Sequence, residues 1–174
     1  LKPADSSPIS IPSQGMAVGC YYITSIRSQD LAKEADQDFK ELPIFADKGE
    51  VELAYQSKKI ELRQLVAVRI DGQIIKTTFG RIWFNKILPK EFGYVNEAMA
   101  GSKALNDLVV KSLDVAGRIK TVKLIDSLKD IGFKGFTLSG ISLSMEDCGY
   151  LPQKEKIITG ANKQVAEIED NYKM

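Results

Sequence analysis

Thr77–Pro89 reads TTFGRIWFNKILP, and this stretch decides the fold. It holds the sole tryptophan, Trp83, between Phe79 and Phe84. Upstream, Asp71-Gly72 separates two runs, Val66, Val68, Ile70 and Ile74, Lys76, Thr78. Asp-Gly supplies the positive φ angles of a two-residue type I′ turn, so the spacing predicts a hairpin. Thr77 or Thr78 then caps a short helix, and Pro89 stops it. Phe79, Ile82, Trp83 and Ile87 fall at helical spacing and give that helix a broad apolar face. Arg81 stands in its first turn, where a cation is disfavoured unless an anion or acidic group lies close. It answers either to a phosphate or to a neighbouring carboxylate, and we adopt the carboxylate.

The same string resembles the segment of bacterial RNA polymerase β′ subunits written TTVGRxxFNxxLP. Thr77, Thr78, Gly80, Arg81, Phe84, Asn85, Leu88 and Pro89 match, while Phe79 stands where valine is usual. Upstream, Leu1–Gly15 is rich in Pro and Ser and reads by composition as a linker or tail. It is also similar to the family's SPANGEPIxxPSQ at Pro3, Ala4, Pro8, Ile9, Pro12, Ser13 and Gln14. The resemblance implies that Gln14 sits near the active centre. Met16–Thr24 is a short apolar run, a buried helix or strand. It resembles LGxYYxT at Gly19, Tyr21, Tyr22 and Thr24. Cys20 reads as a small core residue, and Tyr21-Tyr22 as core rather than a base-stacking pair.

Residues 25–42 are polar and read as an exposed loop. In PIFADKGEVELAY, Asp47 and Glu50 make a capping pattern, and Val51, Ala54 and Tyr55 form an apolar face. This run is similar to the family's FADxxEVxxAY. Downstream, Ser102 is expected to cap a helix with Leu105, Leu108, Val109 and Leu113 inward and Gly117 at its end. A second helix spans about Thr121 to Ile131, stopped by Gly132, and packs antiparallel to the first. Residues 133–145 alternate and suggest a bent strand or hairpin. They resemble ATxSGxSxxxDD at Thr137, Ser139, Gly140, Ile141 and Ser142, with Phe136 replacing the usual alanine.

Beyond Pro152, Ile158, Ala161, Val165, Ile168 and Tyr172 recur at intervals of three and four. This coiled-coil seam is flanked by Lys154, Glu155, Lys163, Glu167 and Glu169. Either the helix packs on its own domain or its partner helix lies outside this chain, and we expect the latter. The initial leucine likewise leads us to expect a piece of a longer protein.

Composition narrows the function. The net charge of +1 gives no general attraction to nucleic acid. With no histidine and two distant cysteines, imidazole catalysis and zinc chemistry are unsupported. The cysteines are expected to be free thiols in a reducing compartment. No apolar run approaches the ~20 residues that span a bilayer. Phosphate-binding glycine loops are absent, and Asp36, Asp38, Glu146 and Asp147 read as solvated charge.

These observations predict an α+β fold, a hairpin with several short helices ending in a longer coiled-coil-like helix. The resemblance divides it into a pore region, 1–151, and the start of a rim helix, 152–174. It implies a wall for nucleotide entry and RNA 3′-end exit, with Thr77, Thr78, Gly80, Arg81, Asn85, Ser139 and Gly140 as channel or packing residues. Lys154, Glu155, Glu167 and Glu169 would form a docking rim for transcript-cleavage factors. The family's catalytic magnesium sits in an aspartate loop, NADFDGD, which this chain lacks. The implied partners are the polymerase α, β and ω subunits, the rest of β′, nucleoside triphosphates, RNA and, through the whole enzyme, DNA. The implied location is cytoplasmic, at the nucleoid. A free-standing α+β interaction module with a helical docking arm is the alternative.

Overall fold

The computed structural model describes residues 2–3, 8–36, 38–39, 41–142, 144–149 and 151–173. Ala4, one of the matched positions, lies outside them. The chain divides into two compact units, Leu1–Ile141 and Ser142–Met174.

The first unit grows from the hairpin. Strands β2 (Leu65–Ile70) and β3 (Gln73–Thr78) pair antiparallel from Leu65↔Thr78 to Ile70↔Gln73. Asp71 and Gly72 both take positive φ, 50° and 87°, as a type I′ turn requires. A two-residue strand, β1 (Ile44–Phe45), adds in parallel to β2, giving the order β1-β2-β3. The sheet is covered on both faces. Val66, Val68 and Ile70 point into the main core, while Leu65 and Ala67 meet Ile26 and Leu42 in a second cluster. Burial on both faces is why the first four β2 residues read as a continuous apolar run.

That second cluster corrects one expectation. Residues 25–42 are not a plain exposed loop: they contain helix α2 (Leu31–Ala35) and cover one sheet face. Buried Asp30 anchors the segment. Its Oδ2 accepts from Arg27 Nε and Nη2 at 2.9 and 2.8 Å and from the Leu65 amide at 3.2 Å. A buried carboxylate is tolerable because these donors replace its water.

Helix α1 (Gly15–Thr24) resolves the helix-or-strand question for the apolar run, with Cys20 and Ile23 fully buried. Tyr22 packs against the core, but Tyr21 is exposed, against expectation. Helix α3 (Lys48–Gln56) starts on Asp47, whose Oδ1 accepts from the Glu50 amide at 2.8 Å. Helix α4 is Phe79–Asn85, and Thr78 caps it.

Helix α5 spans Gly101–Ser139, with a break at Gly117 (φ 79°, ψ 169°). Ser112 and Thr121 hydroxyls meet at 3.0 Å across the break. A straight helix would separate residues nine apart by roughly 13 Å, so the two halves fold back on each other as the glycine predicted. The N-terminus differs: Ala100 precedes the first turn and Ser102 provides no cap.

The second half of α5 carries the main correction. The helix does not stop at Gly132 and residues 133–139 are not a strand. Gly132 and Gly135 are buried against α1, where they admit its backbone. A Cβ on Gly19 would lie 1.8 Å from the Gly132 carbonyl oxygen, and one on Gly135 would lie 2.4 Å from the Gly19 carbonyl oxygen. The small residues that look like breakers are a helix-crossing surface. Gly140, at φ 61°, closes the helix.

The second unit contains a short 3₁₀ helix, Met145–Asp147, boxed by Ser144 and Asp147, and helix α6 (Lys154–Lys173). No α6 residue is buried, and its seam is open, with Ile158 46% and Ile168 68% exposed.

Candidate functional site

The Thr77–Asn85 motif folds into a polar clasp whose centre is Arg81, only 3% exposed. Thr78 holds the helix start: its Oγ1 accepts from the Arg81 amide at 3.1 Å. Gly80 lets α4 touch the end of α1, because a Cβ there would lie 2.0 Å from the Ile23 carbonyl oxygen. With the backbones this close, the Arg81 side chain reaches back to α1. Its Nε donates to the Thr24 carbonyl at 2.9 Å, and Nη1 donates to Glu34 Oε1 at 2.9 Å and Asn96 Oδ1 at 3.4 Å. The adverse cation in the first turn is thus offset by a carboxylate, as the sequence argument required.

The neighbouring motif residues tie down the chain that follows α4. Asn85 Oδ1 accepts from the Val95 amide at 2.8 Å, and its Nδ2 donates to Val95 and Arg81 carbonyls at 2.7 and 2.8 Å. The buried Thr77 hydroxyl meets the Tyr94 hydroxyl at 2.7 Å. Asn96 Nδ2 donates to the Lys76 carbonyl at 2.8 Å, and Thr24 Oγ1 accepts from the Met99 amide at 2.8 Å. One network therefore fixes α1, α2, β3, α4 and residues 94–99. Glu34, Tyr94 and Asn96 escaped the sequence reading, because each is an ordinary polar residue in a polar stretch.

Burial displaces Tyr94 and Cys20 strongly. Burial pushes the Tyr94 hydroxyl up to about 12, although its Thr77 partner acts the other way. Burial also pushes the Cys20 thiol up to about 12. Cys20 is consequently a protonated core group, with none of the thiolate character a nucleophile needs.

The remaining sequence candidates lie apart from the clasp along the chain. Ser139 Oγ donates to the Phe136 carbonyl at 2.7 Å, and Gly140 is the helix terminus. Gln14 precedes α1, exposed, with φ 49° and ψ −126°, a conformation that non-glycine residues rarely adopt. Its neighbour Gly15 faces the Phe136 ring, since a Cβ there would sit 3.5 Å from Cδ1. The start of α1 and the last turns of α5 therefore adjoin. Lys154, Glu155, Glu167 and Glu169 all lie on α6, exposed. Among the described residues, no three His, Cys, Asp or Glu side chains group as metal ligands. Among them, too, no helix is long and apolar enough to cross a membrane.

Residues 1–148 match the family described as RNA polymerase Rpb1, domain 3. The chain is 36% identical over 172 residues to the DNA-directed RNA polymerase subunit beta' of Thermosipho melanesiensis, covering 99% of this chain and 10% of that one. Identity to the same subunit of Thermosipho africanus is 37% over 173 residues, again 99% of this chain and 10% of the relative. For Desulforamulus reducens it is 34% over 174 residues, 99% of this chain and 14% of the relative. The chain thus spans between 10% and 14% of the length of these three relatives. A clasp built from the TTxGR…N residues, in a chain matched along nearly its whole length, makes this a member of the RNA polymerase Rpb1 domain 3 family.

Proposed function

We propose that this chain walls the channel through which nucleoside triphosphates reach a polymerase active centre and a backtracked RNA 3′ end leaves. The family match over residues 1–148 carries this reading. The clasp supports it, because Arg81, Asn85, Thr77 and Thr78 all spend their polar groups inside the chain. Such residues hold a wall in shape and leave chemistry to other groups. Catalysis would then belong to magnesium held by aspartates elsewhere in a nucleotidyltransferase. The α, β and ω subunits and the rest of β′ would surround this chain, in the cytoplasm at the nucleoid, with DNA engaged by the whole enzyme.

Gln14 is the residue we place nearest the reacting end. Its exposed side chain and strained backbone are what such a position would display, since strain persists where function over-determines geometry. Helix α6 would present Lys154, Glu155, Glu167 and Glu169 on the channel rim to transcript-cleavage factors.

Two experiments test this. The purified chain, given template, primer, nucleotides and magnesium, is expected to incorporate nothing, and incorporation would overturn the division of labour. A polymerase carrying this chain in place of its own matching region should crosslink to it from a photoreactive nucleotide at a backtracked RNA 3′ end. Crosslinks that avoid this chain altogether would reject the channel and favour an interaction module.

A further inference from the structure

Beside the clasp, a cleft of about 320 Å³ opens between the β2–β3 turn, the start of α3 and the segment after α4. Its walls carry three ammonium groups, Lys48, Lys86 and Lys90, and one carboxylate, Asp71. Leu88 and Pro89 supply apolar lining, with Tyr94 beside them. The three lysines come from separate places: Lys48 from the first residue of α3, Lys86 from the end of α4, and Lys90 from the turn beyond Pro89.

Their partners differ. Lys86 Nζ lies 2.7 Å from both carboxylate oxygens of Glu52 and is neutralised there. Lys48 Nζ stands 5.0 Å from the centre of the Tyr94 ring, a contact that attracts the cation but supplies no oxygen acceptor. Lys90 forms no ion pair or side-chain hydrogen bond among the described residues; its charge acts on the adjacent Glu91, whose carboxylate is held by Lys120. Glu52 and Asp71 together leave one positive charge in surplus across the cleft. A concave wall with apolar lining focuses that surplus more strongly than a flat, solvated face does.

We propose that this cleft binds a phosphate group, with Lys48 and Lys90 as the ammonium donors. Lysine suits the task because a compact, rotatable ammonium meets a phosphate oxygen as a point charge. The cleft is at the lower end of the volumes that hold small ligands, so a mono-, di- or triphosphate moiety fits it and a whole folded partner does not. The phosphate is either free, as in a polyphosphate or nucleotide, or part of a single-stranded RNA. This inference rests on the charge and shape of the cleft and is independent of the channel reading.

The test is equilibrium binding to the 174-residue chain at low salt. One arm uses inorganic tripolyphosphate and the other a fluorescent oligouridylate. Saturable binding is expected in at least one arm, weakened about tenfold or more by K48Q/K90Q through loss of both charge-assisted contacts. The arginine pair K48R/K90R keeps the charge and should retain binding. K103Q/K163Q removes equal charge outside the cleft and should change nothing. Tripolyphosphate binding alone assigns the site to free phosphates, oligouridylate binding alone to RNA, and mutual displacement to the phosphate group in either setting. Absence of saturable binding in both arms, or equal weakening by K103Q/K163Q, overturns the proposal. All four lysines are exposed, so the variants should keep the parent circular dichroism spectrum.

Discussion

At the scale of single residues, Arg81 shows how one cation organises a neighbourhood. Its guanidinium is a fork that serves the Thr24 carbonyl and the Glu34 carboxylate in different directions. An ammonium cannot reproduce that geometry, so Arg81→Lys leaves at least one buried acceptor unpaired. The expected cost is about 2 kcal/mol in urea unfolding, with a smaller loss for Glu34→Gln, whose side chain keeps 39% exposure. A pH effect belongs at the same scale. Tyr94 and Cys20 both hold their protons more tightly in the fold, at about 12 against ordinary values of 10.0 and 9.0. The native state therefore binds more protons than the unfolded chain above about pH 9, and stability must fall as pH rises toward 12. Each group contributes up to about 1.4 kcal/mol per pH unit within its own window. Urea midpoints taken from pH 7 to 11 should be flat and then decline, and Tyr94→Phe should make the decline shallower above pH 10.

Among the elements, the crossing of α1 on α5 is the tightest contact in the first unit. Gly19→Ala would drive a methyl group into the Gly132 carbonyl, which is backbone and cannot rotate away. The two helices must separate, and overpacking of this kind costs about 3 kcal/mol. Gly160 offers the contrast: it lies within α6 with nothing within 4 Å of a Cβ. Gly160→Ala should therefore raise the helicity of α6, favouring it by about 1 kcal/mol, as circular dichroism would read. The same substitution thus has opposite signs at two helical positions. Only the packing distinguishes them, which is why the sequence misread Gly132 as a stop. The hairpin and the two caps had local causes and were legible. Asp71-Gly72 needed no tertiary partner to turn, and Thr78 and Asp47 bond amides three residues away.

Over the whole molecule, buried residues concentrate in the first unit, and the second contributes none from its helix. A chain ended after Ile141 should consequently keep its thermal transition unchanged, read by differential scanning calorimetry. A lower transition would show that residues 142–174 stabilise the rest. The candidate site divides in legibility along the same line. Thr77, Thr78 and Arg81 could be marked from the residues themselves, and Gly80 and Asn85 through the resemblance of the same string to the β′ motif. Glu34 and Asn96 could not, since they reach Arg81 from 47 and 15 residues away along the chain.

What the sequence determined by itself was governed by neighbours a few residues apart, although the local cap expected at Ser102 did not form. It covers the type I′ turn, the caps of α3 and α4, the reversal at Gly117 and the helical periodicity of α6. The tertiary structure decided whether a small residue ends a helix or admits another one, and whether a polar segment lies open or covers a sheet. It also decided which carboxylate answers Arg81. Those outcomes depend on which surfaces meet after the chain has folded, and burial and desolvation act on surfaces without regard to their distance in sequence.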